Sequence, residues 1–252
     1  MAPPATRFLV LSDIHANGTA LDAVLEAAAA RWDRAVCLGD LVGYGPDPNE
    51  VIERIRTLGA TAIRGNHDKA GCGLDEAEDF NDIARQAVMW TRQQLHPENR
   101  DYLRKLPAGP LEVDGVVLVH GSLHDEDEYV FAPAQALPGL LDAPTPVCFF
   151  GHTHFQSGFS FRDGKLEVLH LHPASTVQFT ALRIEPGTRY LLNPGSVGQP
   201  RDGDPRAAFA IADLVHHVVE FWRVPYDVRA VQQRMRRAGL PEPLVLRLSH
   251  GR

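Results

Sequence analysis

Asp13 and His15, Asp40, the trio Asn66-His67-Asp68, His120, and the pair His152 and His154 share one local setting. Each stands at or just past the end of a short apolar run, usually beside a glycine. Phe8-Leu9-Val10-Leu11 runs into Ser12-Asp13-Ile14-His15, and Ala35-Val36-Cys37-Leu38 into Gly39-Asp40. Ala60-Thr61-Ala62-Ile63 gives way to Gly65-Asn66-His67-Asp68, and Val116-Val117-Leu118-Val119 to His120-Gly121. Val147-Cys148-Phe149-Phe150 runs into Gly151-His152-Thr153-His154. A buried strand ending in Asp, Asn or His packs poorly, but strand carboxyl ends in open α/β sheets are where ligands collect. The five ends are read as parts of one site.

Carboxylates, an asparagine carbonyl and imidazoles form a mixed oxygen and nitrogen donor set. It suits Mn, Fe, Zn or Ni better than Mg alone, and no thiolate is present to specify a structural zinc. Asp13 and His15 are two apart, as are His152 and His154, so on an extended segment each pair points to one side. Asp13, His15, Asp40, Asn66, His120, His152 and His154 would over-supply a single ion. Two divalent ions sharing a bridging carboxylate would use them and leave room for water. Such two-metal sites hold their ions about 3.5–4 Å apart and clamp the attacking and leaving oxygens of an in-line displacement.

The elements that must position these groups follow from pattern. A strand over about 6–12, a helix from about Thr19 to Trp32, a strand over 34–38, a helix carrying Val51, Ile52 and Ile55, and a strand over 60–64 alternate. That alternation implies a parallel sheet with right-handed crossovers. Residues 69–107 break it with helices over Phe80 to Leu95 and about 98–105, read as a helical insertion beside the site. Strands are expected over 111–113, 116–120, 147–151, 157–162, 165–172, 176–185, 189–192, 207–213 and 216–224, with a helix near 134–142. This strand-rich second half reads as largely antiparallel. Val228 to Ala238 reads as a helix, and the Pro-containing tail carries no pattern. The expectation is a single domain over 1–252, an α/β four-layer α/β/β/α sandwich of two mixed sheets.

The 252 residues suffice for a full core. A net charge of −7 leaves no basic footprint, which argues against nucleic acid as the main partner. Three widely spaced cysteines, Cys37, Cys72 and Cys148, are no disulfide framework and point to a reducing compartment. No run approaches a membrane span, and the residues before the first strand lack the pattern of a signal peptide. A cytoplasmic enzyme is the expectation; oligomeric state is not readable.

Asp13-x-His15, Gly39-Asp40, Gly65-Asn66-His67-Asp68, His120-Gly121 and Gly151-His152-Thr153-His154, in that order, resemble the calcineurin-like metallophosphoesterase superfamily. The resemblance runs from residue 6 to about 210. It implies Asp13, His15, Asp40 and His154 on one metal, and Asp40, Asn66, His120 and His152 on a second, with Asp40 bridging. It makes His67 the non-ligand histidine facing the substrate and Asp68 its orienting partner. A bridging hydroxide would then attack phosphorus while His67 protonates or stabilises the leaving alkoxide. Mn is the expected metal, and a phosphodiesterase or phosphomonoesterase acting on small phosphorylated compounds or nucleotides is the expected enzyme, with residues 69–107, 121–135 and 198–206 expected to wall its site.

Two departures bear on substrate. Protein Ser/Thr phosphatases carry an Arg just after the second motif, where this chain has Leu41-Val42-Gly43-Tyr44-Gly45, so a protein phosphatase is the weaker alternative. The first motif has Ala16 where many relatives have Gly. The Gly43–Pro48 loop and Asn193-Pro194-Gly195-Ser196-Val197-Gly198-Gln199-Pro200-Arg201 resemble a bacterial branch of small phosphoesterases, and Arg201 is the candidate phosphate-facing cation. A rival of another class is a metal-binding scaffold without turnover; the presence of His67 speaks against it. His170 and His172 mimic the ligand pairs but match no motif. His216 and His217 read as surface strand residues, His124 and the acidic run after it as a solvated loop, Cys72 as a bystander, and Asn17 as a helix cap.

Overall fold

A computed structural model describes residues 7–252. The expected first-strand start at residue 6, and the segment before it, lie outside the described residues. β1 (Arg7–Leu11), α1 (Gly18–Ala27), β2 (Arg34–Cys37), α2 (Pro48–Thr57) and β3 (Thr61–Ala62) alternate as expected. Three helices follow, α3 (Asn66–Cys72), α4 (Asp82–Gln94) and α5 (Pro97–Arg104). Next come β4 (Leu111–Val113), β5 (Val116–Leu118), α6 (Pro133–Asp142), β6 (Val147–Phe149), β7 (Gln156–Arg162) and β8 (Lys165–Leu169). The remainder is β9 (Phe179–Arg183), β10 (Arg189–Pro194), β11 (Ala207–Asp213), β12 (Val218–Val224), α7 (Val228–Arg237) and α8 (Glu242–Arg247), with a closing 3-10 turn at Leu248–His250.

The strands form two mixed six-stranded sheets, ordered β3-β2-β1-β11-β12-β9 and β4-β5-β6-β10-β7-β8. Strand alternation sorts the apolar residues into layers. Leu9 and Leu11 of β1 face Leu21, Val24, Val51 and Ile52 of the first two helices. Phe8 and Val10, on the other face, meet Leu118, Phe149 and Leu192 of the opposite sheet. The outer face of that sheet presents Val117, Cys148 and Leu191 to Ala136 and Leu140 of α6. The result is helix, sheet, sheet, helix, with each large side chain so enclosed contributing about 1.5–3 kcal/mol of apolar burial.

What matters for the site is strand direction. β1, β2 and β3 are mutually parallel. In the second sheet most pairings are antiparallel as expected, but β5, β6 and β10 run parallel. The ends of β1, β2, β5 and β6 therefore bring residues 13, 40, 120 and 152 to one place.

Four expectations need correction. The helix α3 begins at Asn66, inside the third motif, rather than beyond it. β8 stops at Leu169, so His170 and His172 lie past the strand, and His172 Nε2 sits 3.4 Å from Asp204 instead. His216 and His217 lie in the turn before β12, with His216 Nδ1 2.7 Å from Asp213. The tail is structured: Leu244, Val245 and Leu248 pack with Tyr44 and Met235 in a cluster beside the site.

Candidate metal centre and adjoining cleft

Backbone strain marks the strand ends. Asp13, His15, Asp40, His152 and His154 all have positive φ, between 48° and 65°. Non-glycine residues rarely adopt this region, and such strain persists only where surroundings hold it. The expectation that Asp13 and His15 converge because their segment is extended is thus corrected. Left-handed turns aim them. Backbone bonds hold the turns: His15 N donates to Asp40 O (2.9 Å), and Ala16 N donates to Leu41 O (2.8 Å). Ala16 itself has φ 51°, which explains why a glycine suits that position.

The segment after β10 braces the same turn. Gly198 N donates to Asp13 O at 3.0 Å, and Ser196 Oγ donates to Asp13 O at 2.7 Å. A Cβ on Gly198 would fall 1.8 Å from Ile14 O, so only glycine permits this approach. Asn193, given no role of its own within the 193–201 segment, donates to Gly151 O and Thr153 Oγ1 and thereby ties the His152–His154 turn.

Two buried groups of donor atoms result, Asp13, His15, Asp40 and His154 on one side, and Asp40, His120 and His152 on the other. Within each group the donor atoms lie within 4.8 Å of one another, and either could hold a metal ion. Asp40 belongs to both. Asn66 Oδ1, Asp13 Oδ1, His120 Nε2 and His152 Nε2 are buried without a hydrogen-bond partner. Buried polar atoms are ordinarily paired, so four orphans together call for a cation. His15 Nδ1 and His154 Nδ1 sit on the carbonyls of Val42 (3.0 Å) and Gln199 (2.6 Å), so each Nδ1 carries the proton. Their Nε2 lone pairs then face each other at 3.0 Å, an arrangement that repels unless a cation lies between them. The residues fit divalent metals.

Burial governs the charges. It lowers His15 and His154 well below the ordinary histidine range, and His152 to about 3, leaving ring nitrogens free to donate. It pushes Asp13 up to about 6. Burial works against a charged Asp40 as well, but His120 and His67 hold that carboxylate well below its usual value. Against the same penalty, Asp40 raises His120 to about 10.

His67 is buried at the floor of a cleft of about 210 Å³, lined also by Tyr44, Asn66, Phe80, Asp127, Tyr129 and His152. Its backbone N–H donates to Asp40 Oδ1 (2.9 Å), and its ring lies against Tyr44 (4.3 Å), Phe80 (4.7 Å) and His15 (4.9 Å). Burial lowers its pKa to about 4. Asp68 does not touch this ring. Its Oδ2 accepts from Gly65 N (3.0 Å) and its Oδ1 from Val42 N (3.2 Å), capping α3 and fastening the Asp40 loop. The expected orienting role is corrected accordingly: a carboxylate three residues into a helix folds back onto the free N–H groups of the first turn.

Arg201 lies beside the centre. Its N–H donates to His154 O (3.3 Å), and its guanidinium carbon is 5.6 Å from the Tyr44 ring centroid. Tyr44, Phe80, Tyr129 and Gln199 were not expected as site residues. Phe80, Tyr129 and Gln199 fall in the segments 69–107, 121–135 and 198–206 expected to wall the site, though no residue type singled them out, and Tyr44 stands in the Gly43–Pro48 loop. Cys72 is buried against Lys69 O, His124 is exposed beside Asp142, and the Asn17 side chain accepts from Ala20 N.

The comparisons agree with this geometry. Residues 7–217 match the model of the calcineurin-like phosphoesterase superfamily domain. The chain belongs to that superfamily. Its reaction class is metal-dependent phosphoester hydrolysis. It is 35% identical to the uncharacterized protein MJ0912 of Methanocaldococcus jannaschii, covering 96% of this chain and 97% of that protein. It resembles the crystal structure of a metallophosphoesterase from Sphaerobacter thermophilus with 40% identity and a TM-score of 0.83, over 98% of this chain and 100% of the other. The hypothetical protein PH1004 from Pyrococcus horikoshii OT3 shares the fold, at 23% identity, TM-score 0.78 and 98% coverage of each chain. Among the described residues no helix is long and apolar enough to cross a membrane.

Proposed function

We propose that this chain hydrolyses small phosphoesters with two divalent cations, manganese by preference. Asp13, His15, Asp40 and His154 would hold one, and Asp40, Asn66, His120 and His152 the other. The observation that carries this reading is Asp40, common to two buried donor groups in which Asp13 Oδ1, His120 Nε2 and His152 Nε2 have no hydrogen-bond partner. Bound there, the cations would supply Lewis-acid neutralisation of phosphoryl charge and an acidified water.

The chain's own residues supply the rest. His67 Nδ1 is turned in on Gly43, so a proton for the departing oxygen would be carried on Nε2. Burial keeps the free imidazole neutral, and the arriving phosphoryl charge would favour its protonated form. Tyr44 and Phe80 fix the ring and exclude water. Arg201 adds a cation at the edge of the site, over Tyr44. The cleft of about 210 Å³ suits a small leaving group. We also infer that residues 1–252 work as one unit, with the 69–107 segment furnishing a wall of the cleft through Phe80. Three free, buried cysteines fit a cytoplasmic setting.

The test is hydrolysis of p-nitrophenyl phosphate and bis-p-nitrophenyl phosphate by protein stripped of metal and restored with Mn²⁺. His67→Ala should lower kcat by about 10²–10⁴-fold while metal content stays at two ions. Failure to turn over either ester with Mn²⁺, Fe²⁺, Zn²⁺ or Ni²⁺, or an unaffected His67→Ala variant, would refute the reading.

A further inference from the structure

Two guanidinium groups meet beside the metal centre, and neither has a carboxylate partner among the described residues. Arg201 donates from Nη2 (2.9 Å) and Nε (3.3 Å) to Gln199 Oε1. Arg247, from the last turn of α8, brings Nη1 to the same oxygen at 3.5 Å. Elsewhere the chain pairs its arginines with carboxylates, as at Arg54, Arg64, Arg206 and Arg236. One neutral amide oxygen shared by two cations, with the Tyr44 and Tyr129 hydroxyls beside Arg201, supplies no counter-charge to either. Like charges repel across a half-buried space that screens them poorly. Burial and the Arg201 charge both depress the Arg247 pKa below the usual arginine value. Gln199, only 1% exposed, leaves its Nε2 without a partner, a third unsatisfied donor in the same place.

The location ties this cluster to the catalytic centre. The Gln199 carbonyl is the partner of His154 Nδ1 at 2.6 Å. The Arg201 guanidinium lies over Tyr44, whose ring is 4.7 Å from that of His15 and 4.3 Å from that of His67. Arg247 is held there by its neighbours Leu244, Val245 and Leu248, which pack against Tyr44 and Met235. The C-terminal helix is thus fastened so that its one half-buried arginine reaches the edge of the site.

We infer that Arg201 and Arg247 form a subsite for a second phosphoryl group, so that the preferred substrate carries two phosphoryl groups close together. The inference rests on the phosphoesterase reading above and names the substrate class of that site. Two forked donors sharing one place match the oxygen array of a phosphoryl group, which takes bidentate guanidinium contacts. The metal donors would take the scissile phosphoryl group, and the arginines its neighbour.

The probes are methylphosphonate and methylenediphosphonate, which differ by the second phosphonate and which the enzyme does not hydrolyse. Each is titrated calorimetrically into the full chain at one fixed free Mn²⁺ concentration. Wild type should bind the diphosphonate at least tenfold more tightly. Arg247→Ala should reduce that preference to under threefold, and Arg247→Lys should restore part of it. Equal affinities in wild type overturn the inference, as does an Arg247→Ala variant that weakens both ligands equally, the mark of a structural role. Because a diphosphonate also chelates Mn²⁺ more strongly, the preference is assigned to the arginines only through the variants, and Arg247→Gln takes the place of Arg247→Ala should that protein fail to fold. Loss of methylphosphonate binding itself would instead mark failure of the phosphoesterase reading, and the inference would fall with it.

Discussion

Gly43→Ala tests whether the His67 ring is held by its neighbours rather than by Asp68. Gly43 has φ +89°, where an alanine costs about 1–2 kcal/mol. Its new Cβ would stand 2.3 Å from His67 Nδ1 and 2.9 Å from Cγ. Ordinary contact begins at 3.4 Å, so the imidazole must retreat by about 1 Å. Tyr44, Phe80 and His15 enclose the ring at centroid distances of 4.3–4.9 Å and leave only the cleft as an exit. A displacement of about 1 Å is worth roughly 10²-fold in rate, and overpacking adds about 1–3 kcal/mol to the stability loss. The assay is kcat on the chromogenic ester, with thermal melting and metal analysis on the same preparation. Gly43→Ala should stay folded, keep two metal ions and lose about 10²-fold in kcat. In the double variant with His67→Ala the second change should cost nothing further, because both act through one imidazole. A folded, metal-loaded Gly43→Ala protein within threefold of wild type would refute the reasoning, and so would additive losses.

Asp68→Ala should destabilise the protein by about 2–4 kcal/mol, since it strands the buried N–H groups of Gly65 and Val42. Asp68→Asn, with one amide oxygen left to accept, should recover part of that in a urea titration; a shifted kcat pH profile at unchanged stability would return Asp68 to the His67 ring. Glu126 supplies a pH dependence away from the metal. Burial presses its carboxyl up, but Arg64 (3.0 Å) and Lys69 (3.1 Å) more than offset this and hold it below its ordinary 4.5. A lowered carboxyl stabilises the fold above the unfolded value and loses that contribution as pH falls through the folded one. Glu126→Gln should therefore cost about 1 kcal/mol at neutral pH, discounted for partial exposure, and progressively less as pH falls below the ordinary carboxyl range; a cost independent of pH would point to packing instead.

The candidate donors could be picked out because metal chemistry needs particular side chains and strand ends are local features. Asp13, His15, Asp40, Asn66, His120, His152 and His154 each follow an apolar run that announces a buried strand, and five such runs in order leave few folds to consider. The β/α alternation of the first half and the hairpin across Asp163-Gly164 were local too, and both are present in the fold. Strand direction in the second half was less accessible. Nothing in Val116–Leu118 or Val147–Phe149 says that they run parallel, because hydrophobic runs encode burial rather than partner.

The sequence by itself determined which residues could carry metal chemistry and that two sheets would enclose a core, since both follow from side-chain type and short-range period. Only the tertiary structure decided which groups meet. It turned Asp68 away from His67 and onto two backbone N–H groups, because a helix begins at Asn66 and its first turn needs an acceptor. It brought Phe80 and Tyr129 to the cleft and carried Arg247, the better part of the chain away from His15, to the oxygen that Arg201 already holds. Such contacts are made by packing between elements distant in sequence, and no local pattern of residues specifies them.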